Sequence, residues 1–528
     1  AVLGGHRRQA IDLTDDIQDR FVPRDWEAKD LLADLCQREE NNAQLRLMLG
    51  AVNQQLGDVD AAATAYLKAI AARPELATGH YHLGTLRLET GMVEEAIESF
   101  RCAVACQGDF IEAWVNLGYS LEQLQRHTES LDCYRRALQL NPNVPELHFN
   151  VGKILQVLGK HTDAESHHRE ALRLRPSYVE ACEHLGITLA SQGKHHEAIV
   201  SYRQTLAIQP DYASGYYHLA MSLKDLDRLD EAVDNYRRAL AISPDDADAH
   251  INLGVVLAKQ KKRDEAIAHY RESLRLKPND ADAYNNLGMA YAGGKEFSEA
   301  VACYNEALRL KPDHADVHFN LSLLYLLRGD FRSGWHEYRW RWQRAEKSPR
   351  PFPPTSWDGG NLAERNIFLH AEQGLGDELF FLRFVPWLKR LNAGTITYRP
   401  SPKLARLLSP ATLIDNIADP DAAPSAGDFV FAVGDLPQLL GMERIDQIPP
   451  PLVLTPRAEV LAAVRARLVA AGPAPYIGVT WRAGSSLRNA LYKEVPLPQL
   501  ARLLRDVPAT IVLLQRHPAP GEIEAFAR

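Results

Sequence analysis

The sequence predicts an α-solenoid followed by α/β units built on parallel sheets. Three observations predict it: a Leu-Gly pair that returns every 34 residues, a Pro-rich break after the last return, and strand-loop-helix alternation beyond the break. The chain has 528 residues, room for about three to four domains. With 46% apolar and 24% charged residues, disorder throughout is excluded. A formal charge of −8 supplies no overall basic field for gripping phosphate backbones, and no apolar run of about 18 residues could span a bilayer. Neither nucleic acid nor membrane insertion is expected.

Residues 1–42 read as an N-terminal helical segment. Ala1 to Arg20 carry charges throughout and lack the apolar core of a secretory signal, although an opening Ala rather than Met allows for a removed leader or a trimmed start. Cys36, Cys102, Cys106, Cys133, Cys182 and Cys303 are too scattered for a disulfide framework and have no zinc-finger spacing. A reducing, cytoplasmic setting is expected.

The repeat occupies 43–346 in about nine frames, the last degenerate. Leu49-Gly50, Leu83-Gly84, Leu117-Gly118, Leu185-Gly186, Leu253-Gly254 and Leu287-Gly288 keep the step, and Val151-Gly152, Leu219-Ala220 and Leu321-Ser322 fill the remaining slots. A small residue recurs at Ala62, Ala96, Ala164, Ala198, Ala232, Ala266 and Ala300, with an aromatic four later at Tyr66, Phe100, Tyr202, Tyr236, Tyr270 and Tyr304. Both lie on one helical face. Prolines at 74, 142, 176, 210, 244, 278 and 312 close the frames, because proline lacks an N–H and its ring stops a helix. Each frame is therefore two short antiparallel helices. The Gly and Ala allow close approach, the Leu and aromatic fill the space between one pair and the next, and stacking supplies the core that no single pair can. The first helix of each frame should line the concave side of a right-handed superhelix. This pattern resembles the tetratricopeptide repeat.

Just before the Leu-Gly slot stand Asn116, Asn150, Asn252, Asn286 and Asn320, with His82, His184 and His218 in three other frames. An amide offers a donor and an acceptor together, matching the backbone of an extended peptide without demanding a particular side chain. The ladder resembles the asparagine-lined superhelix of the eukaryotic O-GlcNAc transferases and implies protein or peptide partners. The competing reading is pure scaffolding, with the asparagines tying neighbouring helices. In the last frame Gly334 replaces the alanine, and Trp335 to Trp342 read WHEYRWRW. Alternating Arg and Trp can stack on bases. Without a basic field around them, they read better as a capping helix burying its Trp rings against the next part of the chain.

Residues 347–361 form a Pro-rich linker. A first Rossmann-like lobe follows at 362–456, with a strand from Asn366 to His370, a loop from Ala371 to Asp377, a helical stretch from Glu378 to Leu391, and further apolar runs at Thr395–Tyr398 and Phe429–Val433. A connecting helix at 457–473, centred on Ala458 to Ala471, leads to a partial nucleotide-binding lobe at 474–528 with strands Ile477–Trp481 and Thr510–Leu514. Gly374-Leu375-Gly376-Asp377 places small residues and backbone N–H groups at a helix N-terminus, which suits oxygen-rich groups. Asp377 equally suits an N-cap.

Asn489-Ala490-Leu491-Tyr492-Lys493, followed by Pro496, Leu500 and the run from Asp506 to Glu522, resembles the sugar-nucleotide lobe of O-GlcNAc transferase. That resemblance implies that Lys493 meets the diphosphate of a UDP-sugar and that the Arg516-His517-Pro518 turn follows the same pattern. The segment 370–377, HAEQGLGD, instead resembles the first loop of the lipopolysaccharide heptosyltransferases, which implies Asp377 as the base. Both families share the GT-B architecture. The implied fold is tetratricopeptide repeats followed by Rossmann-like GT-B lobes, the second incomplete.

The implied chemistry is inverting transfer of a sugar, GlcNAc from UDP-GlcNAc, onto Ser or Thr of proteins presented by the repeats. Asp377, or secondarily His370 or Glu372, would take the acceptor proton, while Lys493 stabilises the leaving diphosphate. Thr480, Arg482, Ser485 and Arg516 are further donor-binding candidates. The UDP-sugar is a substrate, and no metal or other cofactor is implied. Adjacent histidines such as His167-His168 and His195-His196 point in different directions on a helix and would not share an ion. Two alternatives stand beside this reading: a non-catalytic peptide-binding scaffold, or a transferase acting on a glycan. A homo-oligomer is also allowed. From Ala474 onward there is room for strand, helix and strand only, so the sequence is expected either to belong to a longer enzyme or to lack unaided activity.

Overall fold

The computed structural model describes residues 25–344, 350–357, 360–362, 364–372, 374–405, 414–419, 421–450, 458–474, 476–479, 482–483, 493–494 and 510–513. Two compact units divide the chain, Ala1–Pro312 and Asp313–Arg528.

In the first unit the helix Asp25–Arg38 precedes eight helical hairpins: Ala43–Gln55 with Val59–Ala72, Ala77–Glu89 with Val93–Cys106, Ile111–Gln123 with His127–Leu140, Pro145–Val157 with His161–Leu174, Val179–Ser191 with His195–Ile208, Ala213–Asp225 with Leu229–Ile242, Ala247–Lys259 with Arg263–Leu276, and Ala281–Gly293 with Phe297–Leu310. The recurrent glycine has a steric cause. A methyl group at Gly50 would lie 2.4 Å from Tyr66 Cε1, at Gly186 2.4 Å from Tyr202 Cε1, and at Gly254 2.6 Å from Tyr270 Cε1. The ring on the second helix is thus seated on bare backbone of its own hairpin, rather than filling only the gap to the next one. In the fourth hairpin His168 takes the ring's place against Gly152, fully buried, with neither ring nitrogen bonded among the described residues.

A second periodic position closes each hairpin. Gly57, Gly91, Gly159 and Gly193 turn between the two helices with φ of 77°, 80°, 72° and 76°. Gln125, Asp227, Lys261 and Lys295 occupy the same slot at φ of 58°, 58°, 63° and 65°, left-handed values that cost a side-chain-bearing residue free energy. First helices of most successive hairpins also pack on one another, which puts them on the inner side of the stack.

The ninth hairpin belongs to the second unit. Its helices Ala315–Arg328 and Phe331–Tyr338 run into a 3-10 turn, Arg339–Gln343. Trp335 and Tyr338 are buried with Leu362, Ile367, Phe381 and Leu382, so the aromatic end is a cap, and its core is that of the following sheet. The frame at 315–338 therefore falls in a different compact unit from the eight before it.

The sheet has strands β1 (Ile367–His370), β2 (Ile396–Arg399), β3 (Asn416–Ile417) and β4 (Phe429–Ala432), all parallel, in the order β3-β2-β1-β4. Strand β1 is buried along its whole length, as expected of a central parallel strand. The stretch read as one helix, Glu378 to Leu391, is two: Leu375–Leu382 and Val385–Arg390. Pro386 explains the break, since it has no N–H to give and its ring would strike the carbonyl four residues back. Helix Ala458–Ala471 lies where the sequence places it. Beyond it, β5 (Tyr476–Val479) pairs in parallel with β8 (Thr510–Leu513), and β6 (Arg482–Ala483) pairs antiparallel with β7 (Lys493–Glu494). No helix among the described residues is long and apolar enough to cross a membrane. The six cysteines are all free thiols.

Candidate functional site

The asparagines of the ladder stand on the first helices of five hairpins, and each is half-buried. The rungs divide into two kinds. Asn116 Nδ2 donates to Tyr81 Oη of the preceding hairpin at 3.3 Å, and Asn252 Nδ2 donates to Tyr217 Oη at 3.1 Å and to the Asp248 carbonyl at 2.9 Å. These two tie neighbours together, as the scaffolding reading proposes. Asn150 and Asn286 make no hydrogen bond among the described residues and keep donor and acceptor for a ligand. Asn320 sits in the second unit and is itself engaged.

The histidine rungs are neutral at pH 7. Burial holds His82, His184 and His218 below the ordinary imidazole range, with the Glu183 carboxylate working against burial at His218. His82 stacks on Tyr66 at 5.7 Å and His218 on Tyr202 at 5.8 Å, while His184 Nδ1 donates to Gln156 Oε1 at 3.2 Å. One turn along from the rungs stand Tyr119, Ile187, Met221, Val255 and Met289, an apolar row that Lys153, paired with Glu122, interrupts in the fourth hairpin. Tyr119 and Met289 are 44% and 51% exposed, more than a core position would tolerate. The inner face therefore presents amides and an apolar stripe side by side. The sequence reading missed this row because its chemistry changes from frame to frame and Lys153 breaks it.

In the second unit the strand order reverses direction at β1 and β4, and open parallel sheets bind ligands outside the carboxyl ends of such a pair. The segments leaving those ends are Ala371–Glu372 and Val433–Asp435. A buried ion network fills the place. Arg341, its side chain 1% exposed, donates from Nε and Nη2 to both Glu372 carboxylate oxygens at 2.8–3.2 Å and from Nη2 to Asp435 Oδ1 at 2.7 Å. Arg350 also binds Asp435. Burial alone would raise the Asp435 carboxyl, yet the two guanidiniums hold it below the ordinary range. Gly434 leaves space for this arrangement, since a methyl there would overlap Glu372 Oε1 at 1.7 Å.

Of the three candidate bases, one is thereby occupied and a second is buried. Glu372 is committed to Arg341. His370 is fully buried, donates from Nδ1 to the Ala371 carbonyl at 3.1 Å, and is pushed down to about 4, chiefly by burial. Asp377 is exposed in the first turn of helix Leu375–Leu382. It is not the N-cap: Gly374 holds that position, because the helix begins two residues before Asp377. Glu378, in the first turn of the same helix, is a buried carboxylate that accepts from Tyr398 Oη and from the Ser401 N–H. Arg482 and Lys493 lie on the paired strands β6 and β7, with Ala483 opposite Lys493 and Arg482 opposite Glu494. Thr480, Ser485 and Arg516 lie outside the described residues.

Tetratricopeptide-repeat family models match residues 47–110, 111–144, 188–227, 222–261 and 248–313. The chain therefore carries tetratricopeptide repeats. The interval 145–187, between matches, contains the hairpin in which His168 stands in for the aromatic ring. No curated protein is similar enough to count as a relative. Among solved structures, the tetratricopeptide protein YrrB, described as having an unusual peptide-binding site, is 22% identical over 35% of this chain and 95% of its own, with a TM-score of 0.33. MamA is 28% identical over 33% of this chain and 94% of its own, with a TM-score of 0.30. The Cut9–Hcn1 hetero-tetramer of the APC/C gives 20% identity over 51% of this chain and 52% of its own, with a TM-score of 0.37.

Proposed function

We propose that the repeat array is a binding module for extended peptide segments, held by backbone-directed amides and a flanking apolar stripe. The observation that carries this reading is the pair of unengaged, half-buried amides at Asn150 and Asn286, in the same slot four hairpins apart, with the exposed Met289 one turn along from Asn286. Amide contacts to a peptide backbone accept many sequences, and the apolar row adds preference for hydrophobic side chains at intervals. Replacing both asparagines by alanine removes two neutral hydrogen-bonding groups of about 0.5–1.5 kcal/mol each, so affinity should fall about 5- to 150-fold. Fluorescence polarisation of a peptide selected on the full chain measures this. An unchanged affinity in the folded double variant would exclude the ladder as the contact surface.

A second reading keeps sugar transfer. It is supported by the parallel β3-β2-β1-β4 order with Asp377 exposed on the loop region after β1, and by the strand pairing that puts the backbone of Lys493 beside Ala483. In this reading Asp377 takes the acceptor proton, Lys493 meets the leaving diphosphate, and the peptide held by the repeats is the acceptor. Replacing Lys493 by alanine should then weaken UDP-sugar binding by about 10- to 150-fold, the loss of a charge-assisted bond. Calorimetry on the full chain reads it. No heat of UDP-sugar binding to the parent would leave the peptide-binding module alone.

A further inference from the structure

Two imidazole pairs in the first unit have no part in the ladder or the sheet. His148 Nδ1 lies 3.1 Å from His167 Nδ1, and His250 Nδ1 lies 2.9 Å from His269 Nδ1. Each pair joins the first helix of a hairpin to its second, and the pairs stand 102 residues apart, three repeats. Their surroundings recur as well. The far nitrogens of His148 and His250 bond the carbonyls of Pro142 at 3.0 Å and Pro244 at 3.1 Å. The charged neighbours of His167 are Arg135, Asp163 and Glu170; those of His269 are Arg237, Glu265 and Glu272. Arg173 and Arg275 hold Glu170 and Glu272.

These bonds fix the tautomers. A carbonyl oxygen only accepts, so Nε2 of His148 and His250 carries the proton and Nδ1 offers a lone pair to the partner ring. An imidazole that ligates a metal is held in the same way, its other nitrogen donating to a carbonyl or carboxylate. Two adjacent nitrogens bound to one ion at about 2.0–2.1 Å stand about 2.8–3.4 Å apart, whether the geometry is square or tetrahedral. Both observed separations lie within that interval.

We propose that His148 with His167, and His250 with His269, are twin chelating sites for a late first-row divalent cation, taken up through the paired Nδ1 atoms. On binding, His167 and His269 transfer the Nδ1 proton to Nε2, so no net proton is released. Water completes the coordination, since no group of three or more ligating side chains is assembled among the described residues. Burial, with the partner imidazole and a nearby arginine, keeps His167 and His269 below the ordinary imidazole range, which favours the neutral, ligating form of these two rings.

Copper is the strongest probe of such a site by the Irving–Williams order. The full chain is titrated with Cu2+ at pH 7 and compared with His167→Gln, His269→Gln and the double variant. Glutamine keeps a polar partner for His148 and His250, and circular dichroism checks that each variant is folded. Each single variant should lose one equivalent relative to the parent and the double variant two, with two-nitrogen splitting in the lost electron paramagnetic resonance signal. Cu2+ or Zn2+ should raise the melting temperature of the parent but not of the double variant. Equal stoichiometry and spectra in the parent and the double variant would show that the pairs are only interhelical hydrogen bonds, and the proposal would be overturned.

Discussion

Acid should loosen the second unit through one histidine, and replacing that histidine should abolish most of the effect. His370 ends β1 fully buried, with Phe352 at 5.7 Å and Trp342 at 6.2 Å, and Nε2 bonded to nothing among the described residues. Burial is the main force depressing its basicity to about 4; Arg350 and Arg399 add to it, while the Ala371 carbonyl and Asp435 oppose it. The unfolded chain protonates the same ring at about 6.5. Because the folded value is the lower one, the contribution to stability is fully present above pH 6.5 and is lost as pH falls towards 4. Between pH 7 and pH 5 the loss amounts to about 2 kcal/mol. Asp435, whose folded-state value is also depressed, loses its contribution only at still lower pH, below the ordinary carboxylate range. Of the tryptophans, Trp335, Trp340, Trp342, Trp357, Trp387 and Trp481 all belong to the second unit, so tryptophan fluorescence during urea unfolding reports mainly on it. His370→Phe keeps a ring in the aromatic pocket and should flatten the dependence between pH 7 and pH 5. If parent and variant lose equal stability over that interval, His370 is not buried in its neutral form and the reasoning fails.

Three further outcomes are expected from the packing. Gly186→Ala should destabilise the fifth hairpin by about 1–3 kcal/mol, because the added methyl lies 2.4 Å from the Tyr202 ring, and hydrogen exchange across 179–208 should rise while distant hairpins stay protected. Lys261→Gly should stabilise the array by about 0.5–1 kcal/mol, since φ is 63° there and glycine fills the equivalent slot in other hairpins; a lowered melting temperature would refute the strain. Arg341→Met should cost about 3–5 kcal/mol in the second unit by stranding Glu372 and Asp435, read as early loss of the tryptophan signal in urea with the helical ellipticity of the repeats retained.

The repeat was legible because its causes are local and periodic. A ring that must sit on bare backbone writes a Gly or Ala in almost every frame, as Gly50 with Tyr66 and Gly254 with Tyr270 show. The left-handed slot was equally periodic, at Gly57, Gly91, Gly159 and Gly193, but Gln125, Asp227, Lys261 and Lys295 interrupt it and hide the signal from a search for glycine alone. Strands β1, β2 and β4 were found within a residue or two by their apolar runs. The single helix expected from Glu378 to Leu391 failed at Pro386, a breaker whose weight was underestimated inside an otherwise helical pattern. The twin histidine pairs escaped because adjacency in sequence points to His167-His168, whereas the contact joins residues 19 apart across a hairpin. The 102-residue return of both members as His250 and His269 was the available signal.

The ion network at the sheet could not be read from sequence at all, and it changes how the loop after β1 is understood. Glu372 and Asp377 are five residues apart in one segment, and either carboxylate could serve as a base on chemical grounds. Arg341, which lies in the aromatic cap of the ninth hairpin, separates them: it binds both Glu372 oxygens through Nε and Nη2 and leaves Asp377 exposed. Such a pair in low dielectric is strongly destabilising to break, so Glu372 is unavailable to a substrate without disrupting the cap. Arg341, the second of the two arginines in the WHEYRWRW run, is therefore not a free cation for stacking on bases but the internal counter-ion of the sheet. Under the sugar-transfer reading, Asp377 is the carboxylate left exposed after β1, and an exchange of Asp377 for asparagine tests that role without touching the ion network.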